Sequence, residues 1–238
     1  LLPVVAIYST FLQRAFDQLI HDVAIQNLKV MFVADRAGLV EDGPTHSGVF
    51  DISFSRIVPN IIVMVPSSES TLKEMLDLGY SHDGPSIVRY PRGIPENKSK
   101  EAKVELGKGA LLIEGKKVAI LNFGALINEA REAANLENYS LADMRFVKPV
   151  DRELIKKLSS THDLLVTLEE NTLLGGAGSA VLEVISSNEI KTKTMSIAIP
   201  DNFIQQDSPN KMREASGLTR DQILGAIRSK LTEVSNLC

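Results

Sequence analysis

The chain has 238 residues, 44% of them apolar and 24% charged, with a net charge of −4. That size and balance describe one or two globular domains with a sizeable core, and the interspersed charges leave no basic stripe for nucleic acid or an anionic membrane. No apolar run approaches the roughly 20 residues that span a bilayer, and the only cysteine, Cys238, allows no disulfide within the chain and favours a reducing compartment.

The first element, Val4-Val5-Ala6-Ile7-Tyr8, is short and has no basic region before it, so it reads as a strand and not as a signal peptide. The chain starts with Leu1 and not Met, which points to further sequence upstream. Apolar residues at Phe11, Leu12, Ala15, Phe16, Leu19, Ile20 and Val23 then predict an amphipathic helix, with Thr10 and Gln13 as a capping box. Val30–Ala34 is a second strand, followed by a long polar loop from Asp35 to Gly48 of the kind that often carries function. A short helix at Ser53–Ile57, a strand at Ile61–Val65, a helix opened by Pro66-Ser67-Ser68 and a strand at Ser86–Tyr90 complete this half.

From Gly93 to Lys108 the pattern lapses, and the charged run Pro95–Glu101 predicts a linker. Strands are then predicted at Val118–Phe123, Ser140–Arg145, Leu164–Glu169 and Lys193–Ile199. Helices are predicted at Ile127–Ala134, Asp151–Leu158, Gly178–Ser187 and Thr219–Leu231, the last with Thr219 and Gln222 as a capping box. Apolar strands alternating with helices predict an α/β protein with two doubly wound sheets, one in residues 1–94 and one in 108–238, joined by a linker over 95–107.

Ligands of open parallel sheets bind at the carboxyl ends of the strands, which singles out three loops of the first half. Tyr8–Arg14 leaves a strand for a helix, whose first N–H groups favour an anion. Asp35–His46 gathers carboxylates, an arginine, two glycines and a histidine able to move protons near neutral pH. Arg89-Tyr90-Pro91-Arg92-Gly93 offers two guanidinium groups for a phosphate. Each has a blander alternative: strand-end packing with a solvated arginine, a solvated turn on Asp42-Gly43-Pro44, or a charged exit to the linker. Together they put arginines on one rim of one sheet, which favours a small anionic substrate, most simply a phosphate ester. The glycine-rich stretch Glu169–Gly178 lacks the spacing of a nucleotide loop and reads as a tight helix–strand junction. No zinc spacing or nucleophile elbow occurs, and His21, His82 and His162 carry no assigned role.

These motifs resemble a known family. Ile7–Gln18, Asp35-Arg36-Ala37-Gly38, Asp42-Gly43-Pro44-Thr45-His46, Arg89-Tyr90-Pro91-Arg92-Gly93, Leu121–Gly124, Asp143–Pro149 and Ile199–Ile204 are similar, in order and over nearly the whole chain, to the 1-deoxy-D-xylulose-5-phosphate synthases. The resemblance implies a partial transketolase pyrimidine-binding domain over 1–94 and a transketolase C-terminal domain over 108–238. It implies a homodimeric transferase using thiamine diphosphate and Mg²⁺, both bound mainly by an N-terminal part upstream of this sequence. The reaction implied condenses pyruvate with glyceraldehyde 3-phosphate, releasing carbon dioxide, for isoprenoid precursor synthesis and for thiamine and pyridoxal. The implied location is cytoplasmic, or a plastid if a transit peptide precedes the chain, with no nucleic-acid or membrane partner.

Carried over residue by residue, the resemblance makes Phe11 the aromatic stacked on the cofactor's aminopyrimidine. It makes Tyr8, Arg14 and Arg92 the phosphate-holding group, and Arg36, Asp42 and His46 the residues of the substrate pocket, with His46 as the catalytic, proton-handling or carboxylate-recognising member. No Gly-Asp-Gly metal motif occurs, and the family's activating glutamate precedes Leu1, so the chain alone is expected to be inactive. The family loop usually has one more residue, a glycine, where only Glu41 separates Val40 from Asp42, and Asp207 stands where the family commonly has glycine. Two alternatives are the β subunit of a 2-oxoacid dehydrogenase, which has the same domain order, and a non-catalytic dimerisation module.

Overall fold

The computed structural model describes residues 1–93 and 103–235. Most of the predicted linker and Cys238 lie outside them. The described residues hold ten strands: β1 (Val4–Tyr8), β2 (Met31–Asp35), β3 (Ile62–Met64), β4 (Ser86–Arg89), β5 (Ala110–Ile113), β6 (Val118–Phe123), β7 (Ser140–Asp143), β8 (Phe146–Lys148), β9 (Leu164–Thr172) and β10 (Lys193–Ile199). They form two mixed sheets of five strands, ordered β1-β2-β4-β3-β8 and β10-β9-β6-β7-β5. The predicted α/β class with two wound sheets holds.

In the first sheet β1, β2, β4 and β3 run parallel. β2, β3 and β4 are buried almost throughout, as a parallel sheet covered on both faces requires. β1 is the outer strand, with Val4 and Val5 exposed. The opposite edge is closed by β8, which pairs antiparallel with β3 through Val63↔Lys148 and Met64↔Phe146. The predicted strand Ser140–Arg145 ends at Asp143 as β7, and β8 is a separate, unpredicted strand beyond it. Arg145 takes a left-handed φ of 60°, and the chain leaves the second sheet there to join the first.

The second sheet is parallel from β10 to β7, and β5 adds an antiparallel edge. Its helices are set by local chemistry. Asp151 accepts from Leu154 N at 3.0 Å to start Arg152–Thr161, and Asn138, at φ 55°, ends Ile127–Glu137 in the left-handed region. In the first half, Ser68 and Thr71 form a reciprocal capping box at the start of Glu69–Ser81.

The first predicted helix differs most. Residues 9–24 fall into four pieces: α-helical Ser9–Leu12, 3₁₀ Gln13–Ala15, α-helical Phe16–Gln18 and π-helical Leu19–Ala24. Thr10 does not cap. It is buried, and its Oγ1 donates to the carbonyl of Thr45 at 3.2 Å.

Candidate active site

The loop after β2 is pinched shut by two glycines. Gly38 N donates to Gly48 O at 2.8 Å and Gly48 N to Gly38 O at 2.9 Å. Both positions require glycine. Gly38 sits at φ 88°, and a Cβ on Gly48 would run into Ser9 and the Arg36 carbonyl. Beyond this neck, Gly43 N donates to Val40 O at 3.0 Å, and Ser47 Oγ donates to Gly43 O at 3.0 Å. The neck folds the loop back over the carboxyl ends of β1 and β2, beside the Tyr8–Arg14 segment.

Five of the predicted site residues meet there in a chain of ring and cation contacts. The Arg36 guanidinium lies over the Tyr8 ring, 4.0 Å from its centroid. Tyr8 stacks on Phe11 with centroids 5.8 Å apart and planes inclined by 10°. Arg14 stands 5.5 Å from the Phe11 centroid, and the His46 imidazole meets Phe11 edge-on at 5.5 Å. Cation–π and edge-to-face contacts of this kind are worth about 0.5–1.5 kcal/mol each and align side chains without burying their charges. His46 is also oriented by Thr45, whose Oγ1 lies 2.9 Å from His46 Nδ1, leaving Nε2 as the nitrogen free to face a substrate. Thr45 is itself held by Thr10.

The remaining predicted residues are placed differently. Arg92, past the end of β4, is exposed, and its guanidinium pairs with the Glu41 carboxylate of the loop after β2. Asp42 is exposed at the turn beside it. Arg89 takes no part in the rim. It is 4% exposed and forms a buried ion pair with Asp51 at 2.7 Å, while its Nη2 donates to Gly48 O at 3.0 Å and Glu170 O at 3.2 Å. The two-arginine clamp at 89 and 92 is therefore corrected to a single exposed arginine, Arg92. The helix-start argument for an anion also falls, because Ser9–Leu12 is a four-residue piece. Positive charge at this rim comes from Arg14, Arg36 and Arg92.

Sequence reasoning missed a second polar cluster, at the carboxyl end of β9. Glu169 is 1% exposed, and its carboxylate accepts from Ala177 N and Gly178 N, both at 2.7 Å, at the start of helix Ala177–Ser187. Burial pushes this carboxyl up to about 7, against the two amide donors. Gly176 leaves room for the Glu169 carboxylate, as the tight-junction reading of this stretch requires. Glu170, equally buried, accepts from Arg213 Nε at 2.9 Å. Arg213 Nη1 also reaches Glu129 at 3.2 Å. The available signal was a Glu-Glu pair at the end of an otherwise apolar strand, since buried charges must find partners. A cavity of about 240 Å³ lies behind the loop, lined by Leu39, Val49, Phe50, Ile199 and Phe203 among others. None of the predicted site residues lines it. No described group of three or more His, Cys, Asp or Glu residues is placed to hold a metal, and no described helix is long and apolar enough to cross a membrane.

Comparison with known proteins adds three findings. The transketolase pyrimidine-binding domain family matches residues 1–96, and the transketolase C-terminal domain family matches 107–223. The chain is 49% identical over 237 residues to the 1-deoxy-D-xylulose-5-phosphate synthase of Hahella chejuensis, and 54% identical over 219 residues to that of Hamiltonella defensa. These alignments cover 98% and 91% of this chain but 37% and 35% of those proteins, so the chain spans little more than a third of their length. A solved split-gene transketolase, described as an inactive β4 tetramer, superposes with a TM-score of 0.89 at 29% identity, over 97% of this chain and 77% of that one.

Proposed function

Because the chain belongs to the transketolase family, matching its pyrimidine-binding and C-terminal domains and the C-terminal portion of the 1-deoxy-D-xylulose-5-phosphate synthases, we propose that it forms the acceptor side of such a synthase. The enzyme condenses pyruvate with glyceraldehyde 3-phosphate, releases carbon dioxide, and works as a homodimer in the cytoplasm or a plastid. Its product serves isoprenoid precursor, thiamine and pyridoxal synthesis. The division proposed is a pyrimidine-binding part over 1–94, a linker over 95–107 and a C-terminal part over 108–238.

The observation that carries this reading is the gathering of Arg36, Tyr8, Phe11, Arg14 and His46 in one run of contacts, with Arg92, past the end of β4, joined to the 36–48 loop through Glu41. Tyr8, Arg14 and Arg92 hold the acceptor phosphate, the arginines through charge-assisted forks. Arg36 and Asp42 line the pocket. His46, fixed through Nδ1 by Thr45, uses Nε2 to recognise a carboxylate or to move a proton. Phe11 fits the role of platform for the aminopyrimidine, being a partly exposed ring at the rim. Thiamine diphosphate, when bound, supplies the carbanion chemistry. No ligand to Mg²⁺ is assigned to this chain; the metal and the diphosphate belong with the rest of the relatives' length.

That division of labour gives a first test. The 238-residue chain, supplied with both substrates, thiamine diphosphate and Mg²⁺, is expected to form no product, in line with the inactivity ascribed to the split-gene β4 tetramer. Product formation by the chain alone would overturn it. The second test concerns the acceptor. In the full-length enzyme Arg92→Ala is expected to raise KM for glyceraldehyde 3-phosphate by about tenfold or more and KM for pyruvate far less. Equal effects on both would favour a 2-oxoacid dehydrogenase-type acyl transfer instead.

A further inference from the structure

We infer that Glu170, in the second half of the chain, is a positioning residue for the loop at 36–48 in the first half. The inference rests on the reading of that loop as part of the acceptor site. Glu170 lies beneath the neck of the loop and is tied down on several sides. Its Oε1 accepts from Arg213 Nε at 2.9 Å, and Arg213 is itself held by Glu129 at 3.2 Å. Its Oε2 faces Gly38 so closely that a Cβ there would overlap it. Its backbone carbonyl accepts from Arg89 Nη2 at 3.2 Å, and the same nitrogen donates to Gly48 O at 3.0 Å.

Both ends of the neck therefore rest on one residue, Gly38 on the carboxylate and Gly48 through Arg89. Because Gly38 and Gly48 also bond to each other, the height of the whole loop above β9 is set at this point. Phe11 stands on the short helix Ser9–Leu12, whereas His46 rides on the loop. A shift at the neck would carry His46, Asp42 and Glu41 away from Phe11, Arg14 and Tyr8. A buried carboxylate is an expensive way to fill space, but held by Arg213 it gives a directional, unyielding stop where an apolar side chain would pack loosely.

Amide hydrogen exchange on the 238-residue chain reads the brace without any activity. The variants are Glu170→Ala, Gly38→Ala and the two combined, with β6 amides as the reference for an intact fold. Each single change is expected to speed exchange of residues 39–47 by about tenfold or more. The double variant is expected to fall short of the product of the two factors, because removing the carboxylate makes room for the added methyl. Loop exchange in Glu170→Ala within twofold of the parent, or strictly multiplicative factors, would overturn the inference. If Glu170→Ala loses β6 protection, Glu170→Gln decides: a loosened loop supports the brace and an unchanged loop overturns it. In the full-length enzyme Glu170→Gln is further expected to raise acceptor KM by a larger factor than it lowers kcat. A loosened loop with acceptor KM unchanged would leave the brace standing and sink the assignment of the loop to the acceptor.

Discussion

Two polar clusters sit at the carboxyl ends of strands in this molecule, and they differ in almost everything else. The rim around Tyr8, Phe11, Arg14, Arg36 and His46 is partly exposed, and its cations rest on ring faces. The cluster of Asp51, Arg89, Glu169, Glu170 and Arg213 is largely buried, and its charges are paired or capped by backbone N–H groups. Strand-end position nominates both. Exposure and pairing separate them: charges left facing outward are free to meet a ligand, whereas charges satisfied internally hold elements in place.

That contrast breaks most readily at Arg89. Arg89→Ala strands Asp51 without its cation in the interior and is expected to lower the unfolding free energy by about 3–5 kcal/mol in a denaturant titration. A loss below about 1 kcal/mol would mean that the buried cluster is no more structural than the rim. Glu169 sharpens the contrast through pH. Its carboxyl is pushed up to about 7 from an ordinary 4.5, so the folded protein keeps a proton that the unfolded chain has released. Stability should therefore fall as pH rises through that window and level off above it, by on the order of 3 kcal/mol from this group alone. Glu169→Gln is expected to remove that part of the slope. Denaturation of both proteins at the two ends of the window measures it, and parallel slopes would refute it.

On the rim the effects should be smaller in stability and larger in binding. Arg36→Ala removes a cation from the Tyr8 ring and is expected to lower stability by less than about 1 kcal/mol. A loss as large as that of Arg89→Ala would erase the distinction. Glu41 gives the finest test. Its carboxylate pairs with Arg92, so it competes with the proposed phosphate for the same guanidinium. Glu41→Gln in the full-length enzyme should lower acceptor KM a few-fold and leave the melting curve in place. An unchanged or raised KM would show that Arg92 does not hold the phosphate.

The sequence made the sheet cores legible because β6 and β10 are unbroken apolar or alternating runs with clear turns on either side. It hid β8, a three-residue strand whose partner is more than eighty positions away and whose length carries no period. It hid the break in residues 9–24, because the apolar spacing that predicts one helix is indifferent to Thr10 turning to Thr45. At the rim, residue types and strand-end position singled out the loops that hold Tyr8, Phe11, Arg14, Arg36 and His46, the five themselves being named by the family resemblance. Residue type and position did not distinguish Arg89 from Arg92. The two differ only in that Arg89 still belongs to the central strand β4, above a buried Asp51, while Arg92 lies past Pro91 in solvent. Nor did they show that the loop's foundation would come from the other half of the chain, since nothing in a local pattern announces a contact with Glu170.

The crossing of β8 onto the first sheet also orders events during synthesis on the ribosome. The first sheet cannot gain its closing strand until residue 148 has emerged, after β6 and β7 of the second sheet have already been made. Until then β3 presents an open row of backbone donors and acceptors to any passing strand. The nascent first half therefore carries an unpaired sheet edge that the finished molecule does not, and only the second half can close it.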